Sequence, residues 1–448
     1  KPVDELWTNL GPEVINISYT GSRSIIHRVI QIDFSSISAF LTGFSTYPQP
    51  LRLRLRIFTI FFLYKQTHQA VRKGELSTIM KLVFDKADLV KSVGIAMKAV
   101  SGKTTMPILE CILIDASSNV IKFTSNDMEL GIETIVTGMI LERGIVALDA
   151  KIFSEIVRKL PDNQVTIETD ENLVTTITCE KAKFNIPGQS GEDFSYLPIL
   201  ETSDCVSISQ FTLKELIRQT IFSIAANENN KLMTGELFEI KDNTLRVISL
   251  DGHRIAIRRI ELKDSYPDRK VVVPGKTLNE ISKILSGEMD DQIDIYFSEN
   301  HIMFKFDDTT VVSRLIDGEY FRIDQMLSSD YETKVTINKK EFLSCIDRAT
   351  LLVKEGDKKP IIIDIQDGAM ELQINSAMGS MKEEIDINKE GKDIMIGFNP
   401  KFLIDALRVI DDEEISIYLV NPKAPCFIRN EEESYIYLIL PVNFNSVR

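Results

Sequence analysis

The sequence predicts an α+β fold of three repeated domains, each a β-α-β-β-β unit given twice. Three observations carry that expectation. A short strand running into an amphipathic helix recurs three times from Met80 onward. A second strand-to-helix signal follows each of those at a constant interval. Alternating apolar and polar residues, broken by turn residues, then close each unit as antiparallel hairpins do.

The three openings are KLVFDKADLVKSVGIAMKAV, SISQFTLKELIRQTIFSIAA and KVTINKKEFLSCIDRATLLV. Phe84, Phe211 and Ile337 are expected to end the strand before each helix, at intervals of 127 and 126. In the second of these helices Leu213, Leu216, Ile217, Thr220, Ile221 and Ile224 fall on one face, with Lys214 and Arg218 on another. The second signals are GIVALDAKIFSEIVRKL, KVVVPGKTLNEISKIL and IMIGFNPKFLIDALRVI, which place Lys151, Lys276 and Lys401 at intervals of 125 and 125. Ser298-Glu299-Asn300 and Asn421-Pro422 are expected hairpin turns. A repeat at this period gives domains at 80–203, 204–330 and 331–448, and 448 residues suit about three cores of ~150 residues.

Residues 1–79 stand apart, holding the only tryptophan, Trp7, and none of the five cysteines. Their nine Lys/Arg against five Asp/Glu leave −18 of the total −14 for residues 80–448. The stretch Leu51–Tyr64 is far shorter than the ~20 apolar residues of a membrane span. The expectation is an extraneous or unstructured leader, translated ahead of a start at Met80. A membrane- or partner-binding arm is the alternative, and deleting 1–79 would separate the two.

Hydrophobic content of 44% and charged content of 26% describe a globular protein. Cys111, Cys179, Cys205, Cys345 and Cys426 are odd in number, widely spaced and without a CxxC, which argues against a disulfide framework or zinc ribbon and for a reducing cytoplasm. No cofactor or metal is expected. The acidic runs Asp411-Asp412-Glu413-Glu414 and Glu431-Glu432-Glu433 lack the spacing of a calcium loop and are expected to be solvated.

An acidic sum argues against nucleic acid until its distribution is read. The helical stretches 85–100, 212–226, 275–286, 338–353 and 400–410 each carry +1 and 150–160 carries +2, so everything else in 80–448 carries −25. Basic helices on an acidic body can face phosphate, and such contacts position without reading sequence. No recognition helix, zinc finger or stacking platform accompanies them. Duplex DNA bound without sequence preference is the reading that results.

Several stretches then identify a family. Thr105-Met106-Pro107-Ile108-Leu109, Gly235-Glu236-Leu237-Phe238, Leu250-Asp251-Gly252-His253-Arg254, Leu315–Phe321 (LIDGEYF) and Ile396-Gly397-Phe398-Asn399 resemble the bacterial DNA polymerase III beta subunits, the DNA sliding clamps. The resemblance covers Met80–Arg448. It implies a non-catalytic ring, a head-to-tail homodimer with helices inside and sheets outside, in the nucleoid-associated cytoplasm. Lys103, Lys151, Lys214, Arg218, Lys231, Lys276 and Lys401 are the expected DNA contacts. The resemblance also implies a groove that captures short motifs of the replicative polymerase alpha subunit, the clamp loader and repair polymerases. Its matching positions are Met233, Leu250, Gly252, His253, Arg254, Ile255, Phe321, Met326, Asn399, Phe402, Pro425, Leu438, Leu440, Pro441 and Val442. This chain departs from the pattern at Phe321, a proline in some relatives, and at Val442-Asn443-Phe444, where a basic residue is common.

Two readings compete. A scaffold reusing the fold without a replicative role would depend on the leader. An enzyme would use Asp251 and His253 as a catalytic pair, two apart on one strand face. Asp251-Gly252 is itself a turn signal, and no nucleophile motif or phosphate loop accompanies the pair.

Overall fold

The computed structural model describes residues 80–444 apart from 103, 199, 201–204, 227–229 and 354–358. The leader 1–79, Lys103 and the last four residues lie outside them. Six α-helices occur among the described residues: α1 Lys86–Ala96, α2 Ala150–Lys159, α3 Gln210–Thr220, α4 Gly275–Ser282, α5 Lys339–Thr350 and α6 Pro400–Val409. Their starts follow from the caps. Asp149, Ser209, Asn338 and Asn399 each accept a backbone N–H of the first turn, satisfying donors that the helix itself leaves open.

The caps also correct one expectation. Phe211 lies inside α3, and Ser209 is the cap equivalent to Asp85 and Asn338. Ile208, 8% exposed, takes the place of Phe84 and Ile337, and the opening intervals become 124 and 129. The second signals keep their register, so Lys151, Lys276 and Lys401 are each the second residue of α2, α4 and α6.

The strands form sheets of 13, 7 and 4 members. The strand count is uneven across the repeats, because the second one runs Gly235–Leu250 and Arg254–Pro274 as two long strands with irregular pairing around Asp242. Repeats are joined edge to edge. Thr309–Ser313 of the second pairs antiparallel with Leu130–Thr134 of the first, and Tyr435–Ile439 of the third with Arg254–Arg258 of the second. Each helix pair, α1 with α2, α3 with α4 and α5 with α6, packs against its own sheets, and α3 also touches α6 across the second joint. A helix this short is held by burying its apolar stripe rather than by its own hydrogen bonds.

Each repeat has its own core, around Phe84, Phe123 and Phe153 in the first, Phe238 and Phe304 in the second, and Phe342, Leu403 and Ile396 in the third. One residue breaks the pattern. Glu236 is 0% exposed, and neither carboxylate oxygen makes a well-formed hydrogen bond among the described residues, the neighbouring Thr220 hydroxyl donating instead to the Leu216 carbonyl at 2.6 Å. Burial pushes its carboxyl up to about 8, so it stays protonated at neutral pH. Ile112 and Ile361 hold the equivalent strand position in the other repeats, each pairing one residue ahead of the cap of the second helix.

Candidate peptide groove and nucleic-acid interface

The second joint carries a cavity of about 420 Å³. Its second-repeat wall is Met233, Leu250, Gly252, His253, Arg254, Ile255, Phe321 and Met326, and its third-repeat wall is Pro425, Leu438 and Leu440. Leu250, Ile255 and Leu438 are 4–6% exposed and form the floor, whereas Met326 at 50% and Leu440 at 37% stand at the mouth. Larger cavities of about 570 and 620 Å³ open elsewhere on the second repeat, but charged side chains such as Arg246, Glu239 and Asp324, or Lys231, Lys276 and Arg314, line them. The smaller apolar cavity is the one suited to aliphatic and aromatic side chains, and the unbranched side chains of Met233 and Met326 can adapt to their shapes.

The wall begins at a turn that its sequence dictates. Gly252 adopts φ +87°, a left-handed conformation that glycine enters without penalty. Asp251 closes the turn by accepting the backbone N–H groups of His253 and Arg254 at 3.0 and 3.2 Å. Its other oxygen takes the Arg254 Nε at 2.9 Å. Both oxygens of Asp251 are thereby occupied, and His253 stacks on Phe402 with ring centroids 6.1 Å apart. The pairing of Asp251 with His253 as acid and base is therefore overturned: the two residues share a turn, not a strand face, and each is engaged elsewhere.

Asn399, Phe402, Pro441 and Val442 do not line the cavity but brace it. Asn399 caps α6. Phe402 lies under the Arg254 guanidinium at 4.5 Å. Leu440 N–H donates to the His253 carbonyl at 2.9 Å, and beyond Pro441 the Val442 N–H donates to that of Gly397 at 2.8 Å, so the final strand is stitched to both walls. Gly397 leaves room for Phe444, whose ring would lie 2.6 Å from a Cβ there. Sequence reasoning missed Asp405 and Phe222, both partners of Arg254. Separations of 151 and 32 residues leave no local signal for either.

Among the basic residues, Lys151, Lys231 and Lys401 are exposed. Lys276 is 61% exposed but pairs with Asp127 of the first repeat. Lys214 donates to the Leu285 carbonyl at 3.2 Å, which directs its ammonium to the protein, and Arg218 is held by Glu215 at 2.5 Å and Asp411 at 2.9 Å, which balances its charge within the protein. The acidic runs are also less idle than expected, since Asp412 accepts the Tyr435 hydroxyl and Glu433 pairs with Arg429. Among the described residues no group of three or more His, Cys, Asp or Glu is arranged to hold a metal, and no helix is long and apolar enough to cross a membrane.

Profiles of the DNA polymerase III beta subunit match the chain three times in order, the N-terminal domain at 80–198, the central domain at 207–321 and the C-terminal domain at 324–443. The chain belongs to the DNA polymerase III beta-subunit family. Its members are DNA sliding clamps, non-catalytic factors that give a polymerase processivity, and this clamp shares that role. The beta sliding clamp of Staphylococcus epidermidis is 33% identical over 375 residues, covering 81% of this chain and 99% of that one. A crystal structure of the beta subunit from Eubacterium rectale is 71% identical with a TM-score of 0.80, covering 82% of this clamp and 100% of that chain. The Bacillus subtilis sliding clamp is 35% identical with a TM-score of 0.79 over the same shares.

Proposed function

We propose that two copies of this clamp close head to tail into a ring of six domains around duplex DNA, while the 420 Å³ cavity of each captures a peptide of a replication partner. The observation that carries the ring is the set of strand edges. Each internal joint pairs the closing strand of one repeat with the strand that follows the mid-repeat turn of the repeat before it. One edge of each kind is left over among the described residues. The first repeat keeps Ala182–Ile186, paired only with the strand Val174–Cys179, and the third keeps Gly379–Asp386, the outer strand of its sheet. A contact between unlike edges repeats until the rotation closes.

The side chains at these edges support the same reading. Phe184 is 40% exposed on the first edge, and Leu351 at 75% and Met378 at 57% stand near the other, apolar surface that a partner copy would cover. Lys183 would meet the edge that carries the exposed Glu384.

In such a ring the helix faces carrying Lys151, Lys276 and Lys401, with Lys231, look onto the phosphates. Their contacts are weak and screened, which lets the ring slide, while topology prevents escape. A polymerase alpha subunit, clamp loader or repair polymerase held by the cavity gains effective concentration at the DNA. These partners place the protein at the cytoplasmic nucleoid.

Electron-microscope class averages of the full chain test the ring. A two-subunit annulus with a hole wider than duplex DNA is expected, and a compact particle without a hole would refute it. For the groove, Met233→Ala or Leu440→Ala should weaken a Leu-Phe peptide about tenfold and leave the ring mass unchanged. Unchanged peptide affinity in both variants would remove the groove assignment.

A further inference from the structure

Arg254 lines the groove, yet the donors of its guanidinium are committed within the protein. The residue is 7% exposed. Each of its three guanidinium nitrogens already donates within the protein: Nε to Asp251 at 2.9 Å, Nη1 to Asp405 at 2.7 Å and Nη2 to the Phe222 carbonyl at 2.6 Å. The guanidinium also lies over the rings of Phe402 and Phe222, at 4.5 and 5.4 Å from their centroids. A peptide carboxylate would have to displace one of these partners to reach it.

Of the two carboxylates, only Asp405 belongs to the third repeat, on α6. The Arg254–Asp405 pair therefore crosses the joint beneath a cavity whose walls come from both repeats. Its members are only 8% and 21% exposed, so neither charge is well hydrated if the other is removed.

We infer that Asp405 is a positioning residue for peptide capture: through Arg254 it holds the two walls of the cavity in register without touching the peptide. The inference rests on the groove reading above. The backbone pairing of Arg254–Arg258 with Tyr435–Ile439 keeps the repeats joined in its absence. What the pair adds is the placement of α6, and with it Phe402, against His253. A binding site whose support loosens by about 1 Å keeps its residues and loses its affinity.

A second ion pair on the same joint supplies the control. Arg218 and Asp411 meet at 2.9 Å, with Asp411 71% exposed, and neither residue lines the cavity.

The test uses the full chain and a fluorescein-labelled peptide, acetyl-Gly-Ser-Leu-Phe-Gly-Ser amide, read by anisotropy and stopped-flow dissociation. Asp405→Asn should weaken the peptide about tenfold, chiefly through faster release, with ring mass unchanged. Asp405→Glu, which restores the charge, should recover most of the loss. Asp411→Asn should stay within twofold of the parent. If Asp405→Asn fails to fold, Arg254→Lys, which keeps charge but loses the fork, carries the same expectation. Peptide affinity within twofold of the parent in a folded Asp405→Asn ring, or an equal loss in Asp411→Asn, would overturn the inference. Should Met233→Ala and Leu440→Ala weaken the peptide while Asp405→Asn does not, only this inference falls. Should all three leave it unchanged, the groove reading falls first.

Discussion

The turns at 127–129 and 251–253 occupy the same place in successive repeats, and only one of them borders an apolar cavity. Their backbones agree closely. Asp127 accepts the N–H groups of Glu129 and Leu130 at 3.0 and 2.7 Å, as Asp251 does those of His253 and Arg254. Met128 and Gly252 both sit at positive φ, +75° and +87°. Each turn region also sends one ion pair to the second helix of the next repeat, Asp127 to Lys276 of α4 and Arg254 to Asp405 of α6.

The difference lies in what fills the space beside the turn. At the first joint Gly131 has no side chain, and Leu197 occupies the room, so close that a Cβ would lie 2.0 Å from its Cδ2. At the second joint the equivalent position is Ile255, and the connector side chains Phe321 and Met326 line the space above it and its strand neighbour Leu438 instead of filling it. One repeat geometry thus yields a sealed joint or an open groove according to a few side chains.

The largest expected effect contrasts the two ion pairs. Arg254→Ala strands two poorly hydrated carboxylates and should cost about 3–5 kcal/mol in urea unfolding. Lys276→Ala removes an exposed lysine, and the Asp127 carboxylate, only 6% exposed, keeps its two backbone N–H donors, so the cost should be about 1–2 kcal/mol. Similar losses at both joints would erase the distinction between a pair buried at both ends and one whose lysine stands in solvent.

Next comes the core position that differs between repeats. Glu236→Ile, which matches Ile112 and Ile361, should stabilise the protein by about 2 kcal/mol near neutral pH by removing an unsatisfied buried acid. The sign of its pH dependence follows from the raised carboxyl. Stability is full below the ordinary value of 4.5, falls as pH rises toward about 8, and is flat above. Glu236→Ile should abolish that slope in unfolding experiments between pH 5 and 8. A slope that survives would place its origin elsewhere.

Packing beside the turns should give a smaller effect. Gly131→Ala should cost about 1–3 kcal/mol by overpacking, and much less in a Leu197→Ala background, because the clashing atom has gone. Simple additivity would mean that Leu197 does not hold that space. Smallest is the turn itself. Gly252→Ala should cost about 1 kcal/mol for a left-handed conformation, although nothing crowds a Cβ there, and Met128→Gly should gain a similar amount.

Much of this molecule was legible in the chain. The amphipathic period, the polar caps and the 125-residue spacing of Lys151, Lys276 and Lys401 locate helices because helix formation obeys local rules. The Asp251-Gly252 turn could be read for the same reason. The misplacement of Phe211 had a usable signal, since Ser209 is a favoured N-cap residue at the true helix start and accepts the Thr212 N–H. Met128 had none, because a non-glycine at positive φ leaves no mark in sequence. The groove residues came from likeness to a family, not from periodicity, and Asp405 came from neither.

By itself the sequence determined the repeats, the helices with their exposed lysines and the turns, all of which depend on neighbours within a few residues. Tertiary structure decided that Arg218 and Lys214 are engaged, that Leu197 seals one joint, and that Arg254 reaches Asp405 across the other. Apart from the i,i+3 pair of Arg218 with Glu215, these are contacts between residues 66 to 193 positions apart, fixed only when sheet edges meet, so no local pattern could encode them.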